Sequence, residues 1–405
     1  MTVTSRSVNK PGSAEFGLFC NPESRRVEGF SQALGRTLRQ HPQLIPWQWV
    51  LEGRPWEELL QQRPNYLRLE SPGRNWTIEQ QLLVRGADLA DEESANGWRR
   101  LPAAAASALA NDPGRLLPLR QWFLAWRRIL LGLADWAKRL GLDSNWLCPP
   151  ADVICQFDKP ACQKELEKAG LPVPPALGVP RNFDELWEMM RQSGTRRIFL
   201  KPAHGSSASG VVAFESRRTD LQAFSTVSMI SSSDGTRLYN QRRIQTYRGA
   251  QAVRQLVDAV CAERCLAQVW IPKAGLSGGP FDLRVVVIGG RARQVMVRLG
   301  KGPMTNSQLL GGKGEVAVVR ERMGPEAWER MLALGEQAMT KCFPASLYAG
   351  LDILVEPDFR TARILEINSF GDLLPRLLHE GRDTYTWEVE AAVRRRKVQV
   401  STKGA

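Results

Sequence analysis

The sequence predicts an α/β (α+β) protein in two parts, a small N-terminal α/β domain followed by a larger, strand-rich one. Three observations predict it. The 405 residues exceed the ~100 to 200 of a typical single domain. Hydrophobic residues at 43% and charged residues at 24% match an ordinary folded protein. Finally, the pattern shifts from helix-rich segments with few strands to a succession of short β-like runs from Ile198 onward.

The first strand is expected over Glu15 to Cys20, and Asn21-Pro22-Glu23-Ser24 supplies helix-start chemistry for an amphipathic run to about Arg39. A second strand near Tyr66 to Glu70 ends in Ser71-Pro72-Gly73, with helices following over 77 to 86 and 115 to 140. Asp158-Lys159-Pro160 opens a helix that closes at Gly170, and Leu171 to Pro175 forces extended chain because proline cannot continue a helix. Strands then fall at 198 to 202, 211 to 215, 267 to 272, 281 to 288, 291 to 299, 350 to 356 and 362 to 368, with a helix at 250 to 264 and a hairpin between 216 and 248.

Several function classes drop out. Met1 to Ser13 is polar and lacks an apolar core, so it reads as a frayed tail rather than a secretory signal. Charges interrupt the most apolar helix, 122 to 140, where a membrane span needs ~20 mostly apolar residues. A soluble cytoplasmic protein is expected. The seven cysteines never form C-x-x-C, and the three histidines have no zinc spacing. The net charge of +13 is spread along the chain, its one tight run being 394 to 397, so nucleic acid is not an expected partner; the charge suits the attraction of nucleotides and acidic substrates instead. Arg25, Arg26, Arg68 and Arg74 read as scattered surface arginines.

The chemistry concentrates in the strand-rich part. If the strands 350 to 356 and 362 to 368 form a hairpin in which Glu356 pairs with Ala362, Asp352 lies opposite Glu366. Facing carboxylates repel unless a cation lies between them. Asn368 shares the face of Glu366, giving an oxygen set suited to Mg²⁺ on phosphates, against the plainer reading of a solvated acidic hairpin. A lysine at a strand end, Lys201, precedes a small-residue loop, His204 to Gly210, whose amides suit phosphate oxygens although a glycine-serine hairpin would look the same. Neither a Walker loop nor a dinucleotide G-x-G-x-x-G occurs. Asp282 and Arg284 lead one strand and Arg298 ends the next; one bulged residue would set Asp282 opposite Arg298 and put all three on one face, and that bulge is predicted.

Taken together, Lys159, Lys201 with its loop, Asp282-Leu-Arg284, Arg298, Asp352 and Glu366-Ile-Asn368 resemble the ATP-grasp superfamily, especially its RimK-like and glutathione-synthetase-like ligases. The sequence is also similar to a bacterial ATP-grasp group of undefined substrate through Trp270-Ile-Pro-Lys-Ala274 and Met304-Thr-Asn306. The likeness spans roughly residues 150 to 375. It implies an ATP-grasp fold with an N-terminal pre-ATP-grasp domain: a tail 1–13, that domain at 14–145, an ATP-grasp domain at 146–390 (lid lobe about 175–272, metal-bearing lobe 273–390) and a basic C-terminal tail at 391–405.

The resemblance further implies ATP and one or two Mg²⁺, with Mn²⁺ as a substitute ion. Lys159, Lys201, His204, Gly205, Ser206, Ser207, Gly210, Gln268, Val269, Trp270, Ile271, Asp282 and Asn306 would contact the nucleotide. Asp352, Glu366 and Asn368 would hold metal, and Arg284 and Arg298 would act in catalysis. The activity implied is a ligase joining a carboxylate to an amine or thiol through an acyl-phosphate, on an amino acid, peptide or natural-product precursor. A small-molecule kinase and a non-catalytic nucleotide-sensing or nucleic-acid-binding protein stand as alternatives. Two departures from the family's pattern are Ala208, where a further glycine is usual, and the segment 306 to 312, which lacks a histidine and is one residue longer.

Overall fold

A computed structural model describes residues 15–91, 97–206, 208–217, 220–232, 235–305, 311–371 and 373–403. The N-terminal domain holds a parallel sheet in the order β2 (Gln43–Pro46), β1 (Phe16–Cys20), β3 (Tyr66–Leu69). All five residues of β1 are buried, as a central parallel strand covered on both faces requires. The helix α1 (Arg25–Leu38) starts where Ser24 accepts the Arg26 N–H, and it buries Val27, Phe30, Ala33 and Leu34. Around the sheet lie α2 (Trp47–Glu52), α3 (Trp76–Arg85), α4 (Ala87–Asp91), α5 (Ala103–Ser107) and the long α6 (Leu119–Arg139).

Two consecutive helices, α7 (Pro150–Phe157) and α8 (Lys159–Lys168), lead into the lid. Its six-stranded sheet runs β4 (Ala176–Gly178), β9 (Cys265–Val269), β5 (Arg197–Pro202), β6 (Val212–Arg217), β7 (Asp220–Ser232), β8 (Gly235–Arg248). Helices α9 (Phe183–Ser193) and α10 (Ala250–Cys261) cover one face through Leu186, Met190, Val253 and Val257.

The second large sheet is antiparallel, in the order β13 (Gly312–Gly314), β12 (Arg291–Leu299), β11 (Gly279–Ile288), β14 (Tyr348–Val355), β15 (Ala362–Asn368), with β10 (Gly275–Leu276) paired to β11. Strand alternation decides what each face does. Phe281, Leu283, Val285 and Val287 join the core under α8 and α11 (Val316–Cys342), a helix bent at Gly324 and Pro325. Val286 and Ile288, on the other face, pack with the N-terminal domain, and Asp282 and Arg284 share that face.

The predicted bulge is present. Asp282 pairs with Arg298, and the register shifts between Val286 and Val287. The acidic hairpin reaches the expected pairing by a different route, because Val355 rather than Glu356 opposes Ala362 and a shift beyond Ile353 restores Asp352 to Glu366. The extra residue is Leu365.

The expectation of a basic tail at 391–405 is corrected. Residues Thr384–Lys403 form the helix α12, which buries Tyr385, Trp387, Val389, Ala391 and Ala392 in the N-terminal core. Arg395 donates to the carbonyls of Trp146 and Ala345, and Arg396 to that of Asn65. Arg68 is also no surface residue: it is 1% exposed, ion-paired to Glu70 and Glu388, with its guanidinium 4.3 Å from the Phe30 ring and 4.7 Å from that of Tyr348. The N-terminal segment also reaches the lid, where Leu116 enters the lid core and its N–H donates to Leu238. The expected frayed tail, residues 1 to 13, lies outside the described residues. No helix among the described residues is long and apolar enough to cross a membrane.

Candidate active site

A cleft lies between the lid and the antiparallel sheet, the kind of concave position between two lobes where small-molecule sites occur. Phe199 and Lys201 on β5, Gly205, Ala208, Ser209 and Val211 in the loop, and Gln268, Val269, Ile271 and Lys273 line one side. Asp282, Arg298, Asp352, Leu354, Leu365 and Glu366 line the other. The bulge at Leu365 therefore adds an apolar side chain next to a carboxylate.

One end of the cleft is apolar with a single directed polar group. Gln163 donates to the Pro174 carbonyl at 2.9 Å and accepts from Gln268 Nε2 at 2.7 Å, which fixes the Gln268 amide with Oε1 buried and unpartnered. An acceptor so placed waits for an N–H donor.

The other end is charged. Arg298 Nε donates to Asp282 at 2.7 Å and its other branch pairs with Asp352 at 2.9 Å. Arg284 Nε lies 2.8 Å from Asp352 Oδ1, but out of line for a hydrogen bond, so both atoms remain buried without a hydrogen-bond partner. Lys159 Nζ donates to the Gly205 carbonyl at 2.5 Å, and Lys273 holds Asp282 and Thr305.

The titrations follow from this crowding. Burial opposes ionisation of Glu366, yet Lys159, Lys201 and Arg284 overcome it and hold its carboxyl down at about 2. Asp352 moves the other way, to about 6, because burial and the carboxylates of Glu366 and Asp282 outweigh Arg284 and Arg298. Burial brings Lys201 down to about 8 despite the attraction of Glu366. Two opposed carboxylates, one of them with an orphaned oxygen, fit a divalent cation. Asn368 Nδ2 donates to Glu366 at 3.2 Å, at the edge of the set rather than in the cleft wall.

The geometry revises several expectations. His204 turns away from the cleft: it is 4% exposed, stacked on Phe123 with centroids 3.8 Å apart and planes at 11°, and 3.2 Å from Asp158 Oδ2. Gly210 (φ 74°) packs on Pro202, where a Cβ would come within 2.7 Å of Cγ. Trp270 sits on Phe199 and beneath Arg197 rather than along the cleft. Ser206 is exposed and Arg284 acts behind Asp352. Ser207 and Asn306, with most of the altered segment 306 to 312, lie outside the described residues. Ala208, the residue standing where glycine is usual, does take a left-handed φ of 60°.

Lys273 and Thr305 are cleft residues absent from the expected site list. Their signals were the Trp270 to Ala274 and Met304 to Asn306 motifs, whose inner residues carry the contacts.

No protein-family model matches the sequence, and no curated protein matches it. Solved structures do. D-cycloserine synthetase DcsG superposes with a TM-score of 0.52 at 12% identity, over 94% of this chain and 99% of that one. The ATP-grasp ligase PsnB, complexed with minimal precursor, Mg and ADP, gives 0.51 at 15% identity over 95% and 99%. PsnB with precursor peptide PsnA2 and AMPPNP gives 0.50 at 13% over 95% and 99%. The chain has the ATP-grasp fold, with an N-terminal α/β domain preceding it, and the match runs nearly end to end.

Proposed function

We propose that this protein is an ATP-dependent ligase that activates a carboxylate as its acyl-phosphate and passes the acyl group to an amine, or to a thiol. The observation that carries this reading is the meeting, in one cleft, of Asp352 and Glu366 with Arg298, Lys159, Lys201 and Lys273, Arg284 standing behind Asp352. Four cations, Lys159, Lys201, Lys273 and Arg298, face the cleft with three carboxylates, Asp282, Asp352 and Glu366, and leave an excess of positive charge suited to a polyphosphate.

The apolar end takes the base, where the fixed Gln268 Oε1 accepts from an exocyclic amino group such as that of adenine. Lys159, Lys201 and Lys273 hold phosphate oxygens, with the 205 to 211 loop closing over them. Asp352 and Glu366 hold Mg²⁺, with Asn368 supporting Glu366; bound there, the ion offsets charge on the phosphates. Arg298 faces the transferring group and stabilises its equatorial oxygens, while Arg284, behind Asp352, holds that carboxylate in place. A substrate carboxylate oxygen bonds to the γ-phosphorus as the bond to ADP breaks. The amine then adds to the acyl carbon, phosphate leaves with its electron pair, and the amine proton passes to water. No protein nucleophile is required.

DcsG is named as a D-cycloserine synthetase and PsnB is complexed with a precursor peptide, so small molecules and peptides both belong in the test. Magnesium-dependent ADP release is measured across amino acids, short peptides and organic acids, with Glu366→Gln beside the wild type. Release in one pool, lost in the variant, supports the ligase. Phosphorylation of a hydroxyl compound without carboxylate dependence would replace it with a kinase, and ATP binding without turnover in any pool would leave a nucleotide-binding protein.

A further inference from the structure

The residues on either side of Lys159 and Gly205 form a structure of their own. Lys159 N–H donates to the Ala203 carbonyl at 3.1 Å, and Ala203 N–H to that of Arg264 at 2.8 Å, so the start of α8 and the start of the phosphate loop lie side by side. Just before Lys159, Asp158 caps α8 at Ala161 N–H and turns its other oxygen to His204 at 3.2 Å and Arg264 at 2.9 Å. The Phe123 ring from α6 covers the imidazole at 3.8 Å and lies parallel to Phe157, at 6.1 Å and 4°.

His204, Phe123 and Phe157 thus make one aromatic column, whose outer members each sit within two residues of a lysine or glycine of the cleft. Asp158 has no proton to give, since His204 and Arg264 hold its carboxyl far below the usual range against the cost of burial. His204 Nε2 must therefore carry the hydrogen. The ring is fixed in its plane by Asp158 and perpendicular to it by Phe123. Because Gly205 follows directly, turning that ring displaces the carbonyl that receives Lys159.

We infer that His204 and Phe123 are positioning residues for the nucleotide: together they hold Lys159 and the phosphate loop in register, and through Phe123 the N-terminal domain shapes the phosphate end of the cleft. The inference rests on the nucleotide reading of the cleft and needs no turnover. Phe123→Leu removes the ring, His204→Gln removes the stack but keeps an amide for Asp158, and Phe123→Tyr keeps the stack as the conservative control.

Calorimetry with Mg²⁺ and a non-hydrolysable ATP analogue reads the affinity, and thermal melting confirms folding. Phe123→Leu and His204→Gln should each raise Kd tenfold or more, while Phe123→Tyr stays within twofold of wild type. Unchanged Kd in a variant that melts earlier would reduce the column to core packing and overturn the inference alone. Absence of analogue binding by the wild type would overturn the nucleotide reading along with it. Should Phe123→Leu not fold, His204→Gln decides by the same criterion.

Discussion

Acid should destabilise this protein through His204 in a window that can be worked out from the site. Burial holds the imidazole at about 4, down from 6.5, against the pull of Asp158. The unfolded chain then binds a proton below pH 6.5 and the folded chain only below about 4, so stability falls as pH drops between the two. At ~1.4 kcal/mol per pH unit the whole interval amounts to about 3 kcal/mol. Asp158, held far lower by the same pair, contributes only at more acid pH. Urea unfolding of wild type and His204→Gln at several pH values from 7 to 4.5 isolates the term. The variant lacks the titrating ring, so its stability should decline less steeply, with most of the ~3 kcal/mol difference in stability loss developed by pH 4.5. Parallel curves for the two proteins would refute a neutral, buried His204.

Gly350→Ala would place a Cβ 2.7 Å from Arg284 Nη1 and 3.0 Å from Leu373, pushing the guanidinium off Asp352; ADP release should fall about tenfold with analogue affinity kept, as kcat and calorimetry would show. Arg68→Met leaves Glu388 buried without its cation, a loss of roughly 3 to 5 kcal/mol in urea unfolding, and adding Glu388→Gln should restore part of it. A chain ended after Asp383 exposes the sites of Tyr385, Trp387 and Val389 at ~1.5 to 3 kcal/mol each, in addition to unpairing Arg68. The loss is comparable with the whole stability of a domain, ~5 to 15 kcal/mol, and near-UV circular dichroism should show an N-terminal domain without fixed packing.

The sheet that carries the charged residues was legible because period-2 alternation and charge placement constrain each other. Only registers of one parity put Asp282, Arg284 and Arg298 on a single face, and the structure adopts one of them through the shift at Val286. The acidic hairpin was legible in its outcome but not in its path, since nothing in 356 to 365 signals a bulge at Leu365. His204 shows a different limit: a histidine inside a small-residue loop looks like a ligand contact, and the Phe123 ring that claims it comes from another domain 81 positions away in the sequence. The helix α12 was hidden by its own composition. Its apolar stripe is interrupted by the buried Glu388, and the basic run that follows resembles a solvated tail until Asn65, Trp146 and Ala345 supply carbonyls for it. The short β2 strand, Gln43–Pro46, alternates in burial but not in residue type, since its inward positions are Gln43 and Ile45.

The pairing of Arg68 with Glu388 spans 320 positions, and this sets an order for events on the ribosome. Strands β1 to β3 are made some 320 positions before the helix that closes their core, at ~5 to 20 residues per second of synthesis. For some tens of seconds the N-terminal sheet exists with Phe30 and Tyr66 lacking part of their cover. The lid, whose strands lie between Ala176 and Val269, can complete its own core in that interval. The N-terminal domain, though made early, is thus late to mature, and a ribosome stalled before residue 384 would leave Phe30 without the cover of Tyr385, in need of a chaperone.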